Sequence, residues 1–151
     1  SFFDNHDHVI LGIGRLSREK GFDRLLSAFS GFRKEFPKSG LVILGEGKLR
    51  QKFEALIEEL GIKDDVLMPG YCSKVPVLLR HASALVMPSL TEGLPITLLE
   101  AMSLKTPEAV TDAELSRDKG NWGYEVVRKR YSSEAMADKY LGFYSRVLAK
   151  S

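Results

Sequence analysis

Apolar residues follow two rhythms along this chain: short unbroken runs, and stretches in which large apolar side chains return every three or four positions. His8 to Gly14 (HVILGIG) is the first run and ends in glycines, which predicts a buried strand. Arg15 to Gly21 is a polar loop. From Phe22 the residues Leu25, Leu26, Phe29, Phe32 and Phe36 keep helical spacing until Pro37 stops it. Gly40 to Leu44 is a second buried strand, followed by a turn at Gly45-Glu46-Gly47. Leu49, Phe53, Leu56, Ile57 and Leu60 form another helical stripe, closed by Gly61 in a C-cap position. Asp65 to Met68 predicts a short third strand, Pro69-Gly70-Tyr71 a turn, and Ser73 to about His81 a short helix. Ala84 to Met87 is a fourth strand running into Pro88-Ser89.

Strands alternating with helices, without long insertions, predict an α/β fold: a Rossmann-like parallel sheet with helices on both faces and right-handed crossovers. Such sheets bind ligands at the carboxyl ends of their strands. The loops Gly12–Gly21, Gly45–Gly47, Pro69–Tyr71 and Pro88–Pro95 all fall at that edge. Towards the end of the chain, Gly123 to Arg130 reads as a helix. Ser132 reads as the N-cap of another, with a stripe of Met136, Tyr140, Leu141, Tyr144, Val147 and Leu148. No repeat or linker divides the sequence, so residues 1–151 are expected to form one domain.

Composition narrows the function. With 44% apolar and 28% charged residues the chain has the makeup of a globular domain able to bury a core. Its 22 basic residues are scattered among 20 acidic ones, for a net charge of +2, so no nucleic-acid footprint stands out. Cys72 is the only cysteine, which rules out an internal disulfide and fits a reducing compartment, with the cytoplasm as the expected location. No apolar run approaches the roughly 18 residues of a membrane span, so contact with a membrane, such as its inner face, is expected to be peripheral.

The fourth strand leads into Glu92-Gly93-Leu94-Pro95-Ile96-Thr97-Leu98-Leu99-Glu100, a loop and helix start. Gly93 permits close backbone approach, and Pro95 suits the first helical position. The amides of Leu94, Ile96 and Thr97 would then be free at the positive end of a helix dipole, where a phosphate fits. Glu92 and Glu100 could face one crevice and accept hydroxyl hydrogen bonds; equally, they suit a dipole-favoured first-turn acid and a solvated mid-helix acid. Arg15 and Lys20 bracket the first loop and could neutralise a diphosphate, or simply be solvated. Gly12-Ile13-Gly14 is a weak dinucleotide signal, since Ser17 stands where the third glycine belongs and no ribose-binding acid follows at the expected distance. There is no Walker lysine loop and no nucleophile elbow. His6, His8 and His81 lack metal-ligand spacing, Cys72 has no partner base, and Trp122 reads as a packing residue.

Together these pieces resemble the C-terminal, donor-binding domain of retaining GT-B glycosyltransferases of the group-1, family-4 type. The resemblance rests on Gly14-Arg15-Leu16 with Lys20-Gly21, Leu44-Gly45-Glu46-Gly47, Val66 to Tyr71, and Pro88-Ser89 with Glu92 through Glu100. It implies transfer of a sugar from a nucleotide-diphosphate sugar, such as a UDP- or GDP-sugar, with retention and without cofactor or bound metal. By the same resemblance Arg15 and Lys20 hold the diphosphate, the backbone of Gly93, Leu94, Pro95 and Ile96 binds the distal phosphate or the sugar, Glu92 faces the sugar and Glu100 the ribose. Gly14, Gly45, Glu46 and Gly47 complete the donor site, and Met68, Pro69, Gly70 and Tyr71 touch the base by packing and backbone contacts. It further implies an N-terminal acceptor domain outside this sequence, through which any membrane association would run, so that the domain alone binds donor and scarcely transfers. After Pro107 and again after Asp112 the family pattern continues with segments that this sequence lacks. The alternative from another class is a non-catalytic sugar-nucleotide-binding module of the same fold; a related epimerase would not require an acceptor, and a phosphorylase would carry a cofactor lysine that no residue here suggests.

Overall fold

The computed structural model describes residues 2–89, 96–106 and 124–125. Its elements in chain order are β1 (His8–Ile13), α1 (Phe22–Glu35), β2 (Ser39–Leu44), α2 (Arg50–Glu59), β3 (Val66–Gly70), α3 (Val75–His81), β4 (Ala84–Leu85) and α4 (Ile96–Ser103). The strands form one parallel sheet in the order β3-β2-β1-β4. β1 and β2 pair along their full length, from His8 opposite Ser39 to Ile13 opposite Leu44.

Side chains leave a strand alternately to its two faces, and the core divides accordingly. Leu41 and Ile43 of β2 join Phe22, Leu25, Leu26 and Phe29 of α1 and Phe53 and Ile57 of α2. Val42 and Leu44 join Val9 and Leu11 of β1, Leu79 of α3 and Ala101 of α4 on the opposite face. Both faces of the sheet are therefore covered, which explains why β2 is buried at every position and reads as an unbroken apolar run. The helical stripes seen in the sequence are the sides that α1 and α2 turn inward. Phe22 and Phe53 meet edge to face, with ring centroids 6.3 Å apart. Gly12 brings α1 close, because a Cβ there would lie 3.0 Å from the Phe22 ring.

Several expected boundaries move, among them the start of α3, which is Val75 instead of Ser73. β3 continues through Pro69 and Gly70, which had read as a turn: after a register shift Gly70 pairs with Leu44, and the missing proline N–H is harmless on the outer side of the strand. β4 closes after Leu85 instead of Met87, although the Val86 amide still donates to the Leu11 carbonyl at 2.8 Å. Two single 3-10 turns, Arg18–Lys20 and Lys63–Asp65, fall in segments read as a loop and a strand start. Gly61, with φ of 66°, caps α2 as expected. The expected helix from Ser132, nearly all of the one from Gly123 to Arg130, and the joints after Pro107 and Asp112 lie outside the described residues. Among the described residues no helix is long and apolar enough to cross a membrane.

Candidate functional site

The carboxyl ends of β1, β2 and β3 are stitched into one rim by backbone hydrogen bonds that continue the sheet past its strands. The Gly14 amide donates to Leu44 O at 3.0 Å, Leu16 to Glu46 O at 2.9 Å, Leu49 to Leu16 O at 3.1 Å and Gly45 to Gly70 O at 2.9 Å. Gly45 has φ of 141°, and a Cβ there would collide with the Gly14 carbonyl. Only glycine lets the two loops run this close. Above the rim opens a cavity of about 420 Å³, lined by Gly14 and Arg15 after β1, Gly45 and Glu46 after β2, and Tyr71 and Cys72 after β3. Val75 of α3 closes its apolar wall. Tyr71 is 88% exposed, its ring standing at the mouth.

Lys20 joins this group. The stem of its side chain passes over Gly14, where a Cβ would lie 3.5 Å from Lys20 Cδ. Together with Arg15, Lys20 stabilises the Glu19 carboxylate, which is held below its ordinary value chiefly by hydrogen bonds from the Ser17 hydroxyl and its own backbone amide. The 3-10 turn that carries Lys20 ends at Gly21, whose φ of 67° lets the chain pass against the Pro88 carbonyl at the exit of β4. Arg24 fastens the same carbonyl, with Nη2 donating at 2.6 Å. The first cationic loop and the start of the fourth loop are thus side by side. Glu92, Gly93, Leu94 and Pro95 lie outside the described residues. Ile96 opens α4 and is exposed, and Glu100 is exposed one turn further on.

Arg50 was not singled out by the sequence, yet it holds the rim together. Its Nε and Nη2 donate to both oxygens of Glu46, at 2.9 and 2.7 Å, its Nη1 to Met68 O at 3.1 Å, and its Nη2 to Gly45 O at 3.4 Å. One planar guanidinium therefore ties the exit of β2 to β3, a task that suits its fork of donors. The hydrogen bonds from Arg50 hold the Glu46 carboxyl below its ordinary value, and Glu46 in turn raises the pKa of Arg50. The available signal was an arginine four residues after a loop acid on a helical stripe. Met68 itself turns away from the cavity, packing against the core beneath α1 and α2, so only its carbonyl reaches the rim. Pro69 is exposed and Gly70 is buried beside the Glu46 carboxylate.

A second trough, of about 570 Å³, shares Arg15 and Glu46 with the first cavity and is otherwise lined by residues from Ser17 to Glu19 and from Gly47 to Leu49. Among the described residues no three His, Cys, Asp or Glu side chains cluster to hold a metal.

A parallel sheet whose glycine-rich exits present paired cations to a rim cavity is the arrangement expected of the group-1 donor domain. The family described as Glycosyl transferases group 1 matches residues 1–143. This chain belongs to that family. An uncharacterized glycosyltransferase of Methanocaldococcus jannaschii is 37% identical over 106 residues, 70% of this chain and 26% of that protein. The alpha-D-kanosaminyltransferase of Streptomyces kanamyceticus is 30% identical over 106 residues, 69% of this chain and 28% of its own length. This group-1 chain thus spans between a quarter and a third of the length of these two relatives. Anabaena HepE, solved in complex with UDP and glucose, superposes with a TM-score of 0.81 at 15% identity over 95% of this chain and 49% of that one. The C-terminal domain of a glycosyl transferase group 1 family protein (LpcC) from Francisella tularensis gives 0.76 at 19% identity, covering 85% of this chain and 88% of that one. The fold is that of the Rossmann-like half of a GT-B glycosyltransferase.

Proposed function

We propose that this domain binds the nucleotide-diphosphate sugar donor of a retaining glycosyltransferase. The observation that carries the reading is the meeting of loops: the turn bearing Arg15 and Lys20 borders the rim cavity and abuts Pro88, four residues before Glu92. The nucleoside would lie in the apolar cavity beside Tyr71 and Val75, its ribose hydroxyls held by Glu100. The diphosphate would lie towards Arg15, Lys20 and the backbone from Gly93 to Ile96. As the bond from the anomeric carbon to the diphosphate oxygen breaks, negative charge grows on the leaving group. Arg15 and Lys20 neutralise it there, which makes a bound metal and any cofactor unnecessary. The acceptor hydroxyl bonds to the same face of the sugar, near Glu92, and its proton passes to the departing diphosphate. An acceptor domain in cis supplies that hydroxyl, and the domain described here transfers little sugar without it. A cytoplasmic enzyme, reaching a membrane only through that other domain, fits this reading.

The test is thermal unfolding with a panel of nucleoside diphosphates and nucleotide sugars. A ligand at a hundred times its dissociation constant adds about 2.7 kcal/mol to the stability of the state that binds it. At least one nucleoside diphosphate should raise the unfolding temperature, and Arg15→Ala and Lys20→Ala should each weaken its binding by about tenfold or more. Unchanged affinity in both variants would remove the assignment. Donor binding without turnover in the protein that also carries the acceptor domain would favour the non-catalytic module.

A further inference from the structure

We infer that the second trough binds a phosphate group carried by the acceptor substrate, an inference that rests on the donor reading above. The trough and the donor cavity have Arg15 and Glu46 as a common wall, so a group bound in one lies next to a group bound in the other, and on the donor reading Arg15 holds the diphosphate between them. Its charges are unevenly committed. Both oxygens of Glu46 are taken by Arg50. Arg18 and Lys48 are exposed, and among the described residues neither side chain makes a hydrogen bond or an ion pair. One of the two acids of the trough is thus paired with an arginine, while two of its cations face open space.

These two cations sit on different loops, yet their spacing is set by the backbone. The Leu16 amide donates to Glu46 O at 2.9 Å and the Leu49 amide to Leu16 O at 3.1 Å, locking the loop of Arg18 to that of Lys48. The two loops are thus fixed before a ligand arrives, and only the side chains of Arg18 and Lys48 lose freedom on binding it. A volume of about 570 Å³ admits a phosphate together with part of the molecule bearing it. The charge is local: the chain as a whole carries only +2, which suits a single anionic group better than a polyanion. A phosphate on the acceptor, held by Arg18 and Lys48, would bring its hydroxyl to the donor sugar across Arg15.

The experiment saturates the chain with UDP, so that the donor cavity is filled, and titrates glycerol 3-phosphate, with glycerol as the neutral control, following backbone amide shifts of Gly47 and Lys48. A parallel arm uses phosphatidylcholine vesicles with and without phosphatidic acid, to tell a soluble phosphate from a lipid-borne one. Binding in either arm, weakened about three- to tenfold by Arg18→Gln and by Lys48→Gln and reduced by added salt, is the expected result. UDP affinity should change less than about twofold in these variants, which also reports that they are folded. Phosphate binding that is absent, or undiminished in both variants, overturns the inference while leaving donor binding intact. Failure of UDP and of every other nucleoside diphosphate to bind the parent chain would overturn the donor reading as well.

Discussion

The two ends of the sheet treat charge in opposite ways. At the amino end of the strands the chain covers much of the sheet: Phe2 and His6 fold over Gly40, where a Cβ would lie 2.7 Å from the Phe2 ring, and their own ring centroids lie 4.3 Å apart with the planes tilted by 35°. Asp65 is buried there at 8% exposure, but it is paired with Arg33 and lies 3.4 Å from His6 Nε2. At the carboxyl end glycines keep the backbone low, cavities open above it, and Arg15, Arg18 and Lys48 point charge at solvent. Both ends are built from loops of the same sheet. What sets the carboxyl rim apart is larger open volume beside exposed cations, whereas at the other end the buried acid, Asp65, is answered from within the fold.

The largest break in this contrast should come from the amino end. Asp65→Ala leaves Arg33, whose side chain is 37% exposed, without its partner and should cost about 1–3 kcal/mol of stability in urea unfolding. Nucleotide affinity, measured on the fraction that remains folded, should hardly move, because the lost pair is at the opposite end from the rim. A fall in affinity as large as that of Arg15→Ala would show that the two ends are coupled.

A smaller and opposite split is expected for Arg50→Gln. The rim would lose the bridge from Glu46 and Gly45 to Met68, so affinity for a complete nucleoside diphosphate should fall by roughly three- to tenfold, while affinity for inorganic pyrophosphate, which needs only the cationic turn, should change little. Equal losses for both ligands would make Arg50 a phosphate contact instead of a positioning residue.

The smallest effect is that of pH on the same bridge. The folded-state pKa of Glu46 is lowered by Arg50, so the bridge is fully present above the ordinary carboxylate value of 4.5 and is lost as pH falls through the lower folded value. Nucleoside affinity should therefore hold between pH 7 and about 5 and weaken only in more acid solution. Glu46→Gln should flatten that acid limb; a limb unchanged in the variant would assign it to another group.

Much of this arrangement was legible in the residues. Buried runs and helical stripes located β1, α1, β2 and α2 to within a residue or two, because burial on one face or two imposes a period that composition must obey. The glycines and cations at strand ends also marked the rim, since a turn that must lie close to another backbone has few residues to choose from. Less legible were the end of β3, where pairing with Leu44 carries the strand through a proline and a glycine that locally prefer to turn, and the side of Met68, which an edge strand with a register shift leaves undetermined.

The sequence by itself determined which segments alternate, that the sheet is parallel, and that Arg15 and Lys20 stand near the carboxyl ends of its strands. Only the tertiary structure decided which charges are spent and which are open. Arg50 meets Met68 across 18 residues, His6 meets Asp65 across 59, and Arg24 meets Pro88 across 64. Periodicity reports a residue's own surroundings over one or two turns of chain, whereas a hydrogen-bond partner is chosen by where distant segments come to rest. An arginine that holds the fold and an arginine that waits for a ligand are therefore written with the same letter.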